Sequence, residues 1–425
     1  MANMLYDIAF LLFSIFYLPT LLLKGKLHRD FLERFGVYSA EKREELASVK
    51  DTIWIQTVSV GEVAICKSLI PLLRRRFPAT KIILSTITKT GNDLAKKLFV
   101  DSAIIIYFPL DFSTIVKKVV DKIRPRIYIM VETEIWPNVI KELSSRSIPS
   151  ILINGRLSDR SFGKYKLVRR FLKATLERIN IFCMQSPLDE ERVVYLGAPK
   201  AAVRVTGNMK FDTDVISDTQ ASEEMKYRLG LKEGEMLFVA GSTHRGEEKI
   251  ILSAFKELLK QFKYLKLLMA PRHIERTREL EGLIRQSGFE PVRVSKISSL
   301  GAGSGVRVFI LDTIGQLKDV YAVATVVFVG GSLVKHGGQN PIEPAFFERP
   351  VIFGPYMFNF KNIAGAFLET RAAIEVRDEK ELLDALSLLL EDGHARSVYG
   401  GNAKKVAIDN KGATERNLEE ITGAF

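Results

Sequence analysis

The sequence predicts an α/β protein built from two doubly wound parallel-sheet domains, and three observations carry that expectation. Short, unbroken apolar runs rich in Ile and Val alternate with longer helical patterns along most of the 425 residues. Strands of that kind belong to parallel sheets covered on both faces. The alternation stops once, at the polar stretch from Asp212 to Glu224, which has no apolar periodicity and is taken as a linker. Small-residue turns recur where the runs end, and the carboxyl ends of such strands are where these sheets bind ligands.

The chain opens on an uncharged apolar run from Ile8 to Leu23, followed by Lys24, Lys26, Arg29 and Arg34. A membrane-spanning helix needs about 20 apolar residues, and Pro19 would kink this one. Residues 1–25 are therefore expected to anchor the protein to a membrane, spanning it or lying in the interface. The basic residues that follow put the rest of the chain on the cytoplasmic side. A buried core helix is the alternative.

Residues 26–212 form the expected first domain. Its strands run Ile53 to Val58, Lys81 to Ser85, Ala103 to Tyr107, Ile127 to Val131, Ser150 to Asn154 and Ile181 to Met184, with helices near Glu62 to Arg76 and Asn92 to Phe99. Residues 213–404 form the second, with strands Met236 to Ala240, Tyr264 to Met269, Val306 to Ile310, Thr325 to Val329 and Val351 to Phe353. A final helical stretch is assigned to residues 405–425.

Composition bounds the partners without choosing among them. Hydrophobic residues at 47% and charged residues at 26% exclude wholesale disorder. A net charge of +12 favours phosphates, nucleic acid or anionic lipid. The two cysteines, Cys66 and Cys183, have no metal-ligand spacing and fit a reducing compartment.

The most informative stretch runs from Val326 to Ala345: a buried strand, a glycine-rich turn through Gly337-Gly338-Gln339-Asn340, and a helix start at Pro341. Proline pre-sets the helical φ, and the free N–H groups of a first turn suit an anion. Glu343 adds a carboxylate able to accept from sugar hydroxyls. Ser59-Val60-Gly61-Glu62 follows the first strand as a capping box, with Gly61 permitting close approach of another molecule. Glu132-Thr133-Glu134-Ile135-Trp136-Pro137-Asn138 follows a later strand, and two carboxylates there are costly unless solvated or paired, which hints at use.

Asn154-Gly155-Arg156 ends the next strand, and Lys164, Lys166, Arg169, Arg170 and Lys173 form a basic stretch suited to phosphates of lipid headgroups or of a phosphorylated glycolipid. Lys210 closes the first half. In the second half, Ser242-Thr243-His244 and Arg272-His273 end two strands, and Asp312-Thr313-Ile314-Gly315 offers backbone N–H groups. Arg272 suits phosphate through two parallel donors. Asp212-Thr213-Asp214 lies in the linker and is set aside as a metal motif. Gly301 to Gly305 precedes a strand and is a loop. His244, His273 and His336 stand on separate strand ends, so no metal site is expected.

Taken together these strings resemble the Kdo transferases of lipopolysaccharide synthesis (3-deoxy-D-manno-octulosonic acid transferases). The resemblance runs from Arg34-Phe35-Gly36 to Phe360, with Lys335 as the largest departure noticed. It implies a GT-B fold of two Rossmann-like domains around an interdomain cleft, and a C-terminal helix that returns to the N-terminal, acceptor-binding domain. It implies transfer of Kdo from the co-substrate CMP-Kdo to the lipid A precursor (lipid IVA), with inversion, no cofactor and no metal, on the cytoplasmic side of the cell inner membrane. Anionic lipid is an expected partner and nucleic acid is not. Glu62 becomes the implied catalytic base, with Lys210 and Glu132 beside it. Ser59, Gly61, Glu134 and Arg156 fall to the acceptor side. Ser242, Thr243, His244, Arg272, His273, Ile314, Gly315, Asn340 and Glu343 fall to the donor side. Two other readings remain: a GT-B transferase or epimerase acting on a uridine nucleotide sugar, and a non-catalytic membrane-tethered binder of anionic lipid. Glu62 separates the classes, since a binder has no use for that carboxylate.

Overall fold

The computed structural model describes residues 6–8, 10–11, 29–212, 219–297 and 305–425. The chain divides into two compact units, residues 1–212 with 411–425, and residues 213–410. Most of the apolar run assigned to an anchor lies outside the described residues. Among the described residues, no helix is long and apolar enough to cross a membrane.

The first unit holds a seven-stranded parallel sheet. In chain order its strands are β1 (Thr52–Gln56), β2 (Lys81–Thr86), β3 (Ile104–Tyr107), β4 (Pro125–Val131), β5 (Ser150–Gly155), β6 (Ile181–Met184) and β7 (Val203–Val205). They lie in the order β3-β2-β1-β4-β5-β6-β7. Every residue of β1 and β5 is buried, as a two-sided parallel sheet requires. Trp54, Tyr128 and Phe182 belong to the core on one face of the sheet. Ile53, Ile55 and Ile129 belong to the core on the other.

The second unit repeats the plan with β8 (Leu237–Thr243), β9 (Lys266–Pro271), β10 (Pro291–Arg293), β11 (Val308–Ile310), β12 (Val326–Val329), β13 (Val351–Phe353) and β14 (Ala373–Glu375). Their order is β10-β11-β9-β8-β12-β13-β14, again parallel. In each sheet the order reverses beside the unit's first strand, between β1 and β4 and between β8 and β12. A crevice opens at such a reversal because the flanking connections leave on opposite faces.

Some expectations need correction. The polar linker does not reach Glu224, because a helix spans Thr219–Arg228. The short edge strands β7, β10 and β14 carry three residues each and were missed, being too brief to show a period. The boundary expected at 404/405 falls at 410/411, since helix Gly393–Asp409 is continuous through it.

The closing helix Ala413–Ala424 packs within the first unit, with Ala413 and Ile421 in its core. Its N-cap is Gly412, in the left-handed region at φ 85°, which offers no capping side chain. Asp212 takes over, accepting from Gly412 N (2.6 Å) and from Thr414 N. Asn417 Nδ2 donates to Thr206 Oγ1 (3.0 Å) from the same helix. Asp212→Ala orphans both amides and is expected to destabilise the first unit by about 1–2 kcal/mol. Urea unfolding is the measurement, and an unchanged midpoint would refute the capping role.

Candidate active site

Glu62 stands in the first turn of helix Val60–Arg76, directly after β1. Ser59 Oγ donates to Glu62 Oε1 (2.9 Å) and Val58 N donates to Oε2 (2.6 Å), while Ser59 Oγ accepts from Glu62 N (3.4 Å). The capping box expected from the sequence is thus present, with the carboxylate reaching Val58. Glu62 is nevertheless only 6% exposed. Burial pushes its pKa from 4.5 up to about 8, with Glu132 and Glu134 adding to the rise and the bonds from Val58 and Ser59 opposing it.

Those two carboxylates follow β4, the strand on the other side of the sheet reversal. Glu132 holds φ 60°, a left-handed conformation that a glutamate adopts at a cost. Its amide donates to Ile153 O (3.0 Å), and its carboxylate lies 3.5 Å from Lys210 Nζ. Burial, with Glu132 beside it, raises Glu134 to about 7. Asn154 Oδ1 accepts from Met209 N (3.0 Å), fixing the short turn Met209–Asp212 that carries Lys210. Thr133 Oγ1 bonds Arg156 O and accepts from Arg156 N (3.2 Å), joining two of the expected motifs. Two residues that sequence reasoning missed, Gln56 and Tyr128, lie beneath this loop. With its amide oriented to suit its neighbours, Gln56 accepts from Trp136 Nε1 (2.7 Å), donates to Glu134 O (3.2 Å) and bonds Tyr128 Oη. They stand inside apolar or aromatic strings, which gave no polar signal.

In the second unit, Ser242 lies near the end of β8 at φ 56°, and Gly330 follows β12. A Cβ on Gly330 would sit 2.4 Å from Ser242 O, so only glycine lets these two connections meet. Glu247, fully buried, clamps them: it accepts from His244 N (2.7 Å), Gly331 N (2.6 Å) and Leu333 N (3.4 Å). Burial raises Glu247 to about 7 against those three bonds. Its neighbour Glu248 accepts from Thr243 Oγ1 (3.1 Å) and takes both guanidinium nitrogens of Arg276 (3.0 and 2.7 Å). Neither glutamate was picked out in the sequence, although both stand just beyond Ser242-Thr243-His244.

The three histidines expected to stand apart come together. His244 stacks on His336 with ring centres 4.2 Å apart, and His273 meets it edge-on at 5.9 Å. Burial, and then His336, His273 and Arg272, lowers His244 to about 4. Gln339 Nε2 lies 3.3 Å from His244 Nε2. Arg272 and His273 are exposed at the end of β9, as are Ile314 and Gly315 beyond β11. Asn340 Oδ1 accepts from Ile342 N (3.0 Å), and its Nδ2 donates to Glu343 Oε1 (3.3 Å). This corrects the open helix start expected at Pro341. The helix has five residues, Ile342–Phe346, and Asn340 already takes one of its first amides.

Among solved structures, the chain is similar to a glycosyltransferase from Rickettsia africae, at 11% identity and a TM-score of 0.59, covering 88% of this chain and 98% of that one. That likeness concerns fold alone: two parallel α/β sheets of GT-B kind. Sequence carries the assignment further. The family model for 3-deoxy-D-manno-octulosonic-acid transferase (kdotransferase) matches residues 29–213. The 3-deoxy-D-manno-octulosonic acid transferase of Haemophilus influenzae is 33% identical over 416 residues, covering 95% of this chain and 97% of that protein. The same enzyme of Chlamydophila psittaci is 30% identical over 423 residues, covering 98% and 95%. The chain belongs to the 3-deoxy-D-manno-octulosonic acid transferase family, and it is a glycosyltransferase.

Two outcomes are expected. Glu132→Gln removes the negative charge that acts most strongly on Glu62 and lowers its pKa below about 8, read by carboxyl carbon NMR across pH. An unmoved titration would mean that burial alone sets it. Glu247→Ala leaves three buried amides without an acceptor and costs about 2–4 kcal/mol in thermal unfolding.

Proposed function

We propose that the protein transfers Kdo from CMP-Kdo to a hydroxyl of the lipid A precursor with inversion at the anomeric carbon, using Glu62 as general base. The observation that carries this reading is Glu62 itself, a buried carboxyl pushed up to about 8 at the sheet reversal between β1 and β4. A base with a pKa near the working pH takes up a proton readily and still exists ionised in useful amount. The acceptor oxygen attacks the anomeric carbon while Glu62 takes its proton. The bond from that carbon to the phosphate oxygen breaks, and CMP leaves with the electron pair. Family membership supports the donor and a lipid A type of acceptor.

In this scheme Glu132 holds Lys210, whose cation offsets negative charge on the donor, and Glu134 with Arg156 serves the acceptor sugar. Arg272 binds phosphate through two donors. Ser242, Thr243, His244, His273, Ile314, Gly315, Asn340 and Glu343 surround the nucleotide and Kdo, and charge compensation runs through these side chains without a metal or further cofactor. We also place the enzyme at the cytoplasmic face of the inner membrane, in contact with anionic lipid. That placement is supported by Leu167, Val168 and Phe171, exposed among Lys164, Lys166, Arg169 and Arg170.

Glu62 works when ionised, so kcat should rise with pH and level off above about 8. Because the folded state holds this proton and the unfolded state releases it near 4.5, the contribution of Glu62 to stability falls as pH rises between those values. Glu62→Gln is expected to reduce transfer at least about 10²-fold while CMP-Kdo still binds in calorimetry. Mass spectrometry of tetraacyl lipid A precursor incubated with enzyme and CMP-Kdo reads the product. An unchanged acceptor mass with the wild-type protein would overturn the function, and full turnover by Glu62→Gln would overturn the base.

A further inference from the structure

Two helices of the first unit begin without a cap of their own. Helix Ser113–Ile123 has Phe112 at its N-cap, helix Pro137–Ser145 has Trp136, and neither side chain bonds the first turn. Distant carboxylates do the work instead. Asp111, fully buried, accepts from Asn138 N (3.1 Å) on Oδ2 and from Val139 N (3.0 Å) on Oδ1. Asp7, more than a hundred residues away in sequence, accepts from Ser113 N (3.2 Å) and Ser113 Oγ (2.6 Å). Asp7 Oδ1 also accepts from Asn138 Nδ2 (2.7 Å), which donates in addition to Asp111 O (2.6 Å). Tyr6 Oη donates to Asp111 Oδ2 (2.9 Å). Ring contacts hold the same short stretch in place: Tyr6 stacks on Phe171 at 5.9 Å, and Phe10 meets Phe112 edge-on at 4.9 Å.

Three of these bonds are donated by Asn138, the residue that follows the string Glu132 to Pro137. The near end of that loop is tied by Glu132 to Lys210. Its far end is tied by Asn138 to Asp111 and Asp7. Between them Trp136 packs on Phe108 at 5.6 Å. A loop that must hold two carboxylates beside Glu62 needs both ends fixed, because a displacement of about 1 Å costs an enzyme heavily in rate.

We propose that Asp7, supported by Tyr6, is a positioning residue for the acceptor reaction: by capping helix Ser113–Ile123 and holding Asn138, it fixes the loop that presents Glu132 and Glu134. The stretch around Tyr6 therefore serves the site directly, whatever the neighbouring apolar run does at a membrane. The proposal rests on the reading of Glu132 to Trp136 as the acceptor side.

The test uses the full chain with Asp7→Ala and the milder Tyr6→Phe, which removes one hydroxyl and keeps the ring. Steady-state KM is measured for tetraacyl lipid A precursor in detergent and for CMP-Kdo. Hydrogen exchange is followed over residues 132–140 and, as a control, over β1, and sedimentation with phosphatidylglycerol vesicles is compared. Asp7→Ala is expected to raise the acceptor KM about 10-fold, with Tyr6→Phe following in the same direction by a smaller factor. The CMP-Kdo KM, exchange in β1 and vesicle binding should stay unchanged, while exchange over 132–140 quickens. Unchanged acceptor KM and unchanged exchange over 132–140 would overturn the proposal. So would a rise in acceptor KM that comes with lost vesicle binding, or a uniform rise in both KM values and in exchange throughout. If the wild-type protein transfers nothing, the proposed function fails, and exchange over 132–140 still decides whether Asp7 holds the loop.

Discussion

Three carboxylates placed around one sheet reversal set the main constraint on the first unit. Glu62, Glu132 and Glu134 repel one another in a partly buried space, and one cation, Lys210, lies 3.5 Å from Glu132. A helix start and two donated hydrogen bonds favour the ionised form of Glu62. Burial and like charge favour the neutral form, and they prevail, since the group ends near 8 rather than below 4.5. Lys210 must therefore be held well. Its short turn is tied at one end by Asn154 to Met209, and at the other Asp212 caps the returning helix Ala413–Ala424. The closing helix thus helps to fix the lysine on which the charge balance depends.

The second unit uses buried carboxylates differently. Glu247 and Glu248 lie directly under the connections that follow β8 and β12, but their oxygens are taken by backbone amides, Thr243 and Arg276. They support the loops. Gly330 allows two backbones to meet, and Gly241 leaves room for the Tyr321 hydroxyl, which would lie 2.0 Å from an added Cβ. Rigid backbone and clustered His244, His273 and His336 suit a nucleotide's phosphate and base, for which orientation matters more than proton transfer.

The sequence made the two sheets and the placement of the strand-end motifs legible, because buried parallel strands leave unbroken apolar runs and ligand loops leave small and charged residues beside them. It did not reveal that the motifs of each half flank a single reversal in strand order, since that order is a property of pairing. The three-residue edge strands β7, β10 and β14 were hidden by their brevity. The histidine cluster was hidden because β8, β9 and the Gly-rich turn after β12 are far apart in sequence and adjacent only in the sheet. Gln56 and Tyr128 look like ordinary strand residues, and only the closed network with Trp136 shows their part in shaping the loop.

One signal for the distant carboxylates was nevertheless present. In Trp136-Pro137-Asn138-Val139 the proline lacks an N–H, so the first helical amides needing a partner are those of Asn138 and Val139. A cap residue normally serves these positions with a short oxygen-bearing side chain, which tryptophan does not have. A buried helix start with no local acceptor requires one from elsewhere, because an unsatisfied amide there costs more than most single contacts return. Asp111 meets that requirement while fully buried, and that in turn requires a setting rich in donors, which Tyr6 and the two amides provide. The side-chain amide of Asn138 then needs acceptors, and its Nδ2 finds Asp7 Oδ1 and Asp111 O. Each step is forced by the polar group left over from the one before, and the series links the loop of Glu132 and Glu134 to residues near the start of the chain.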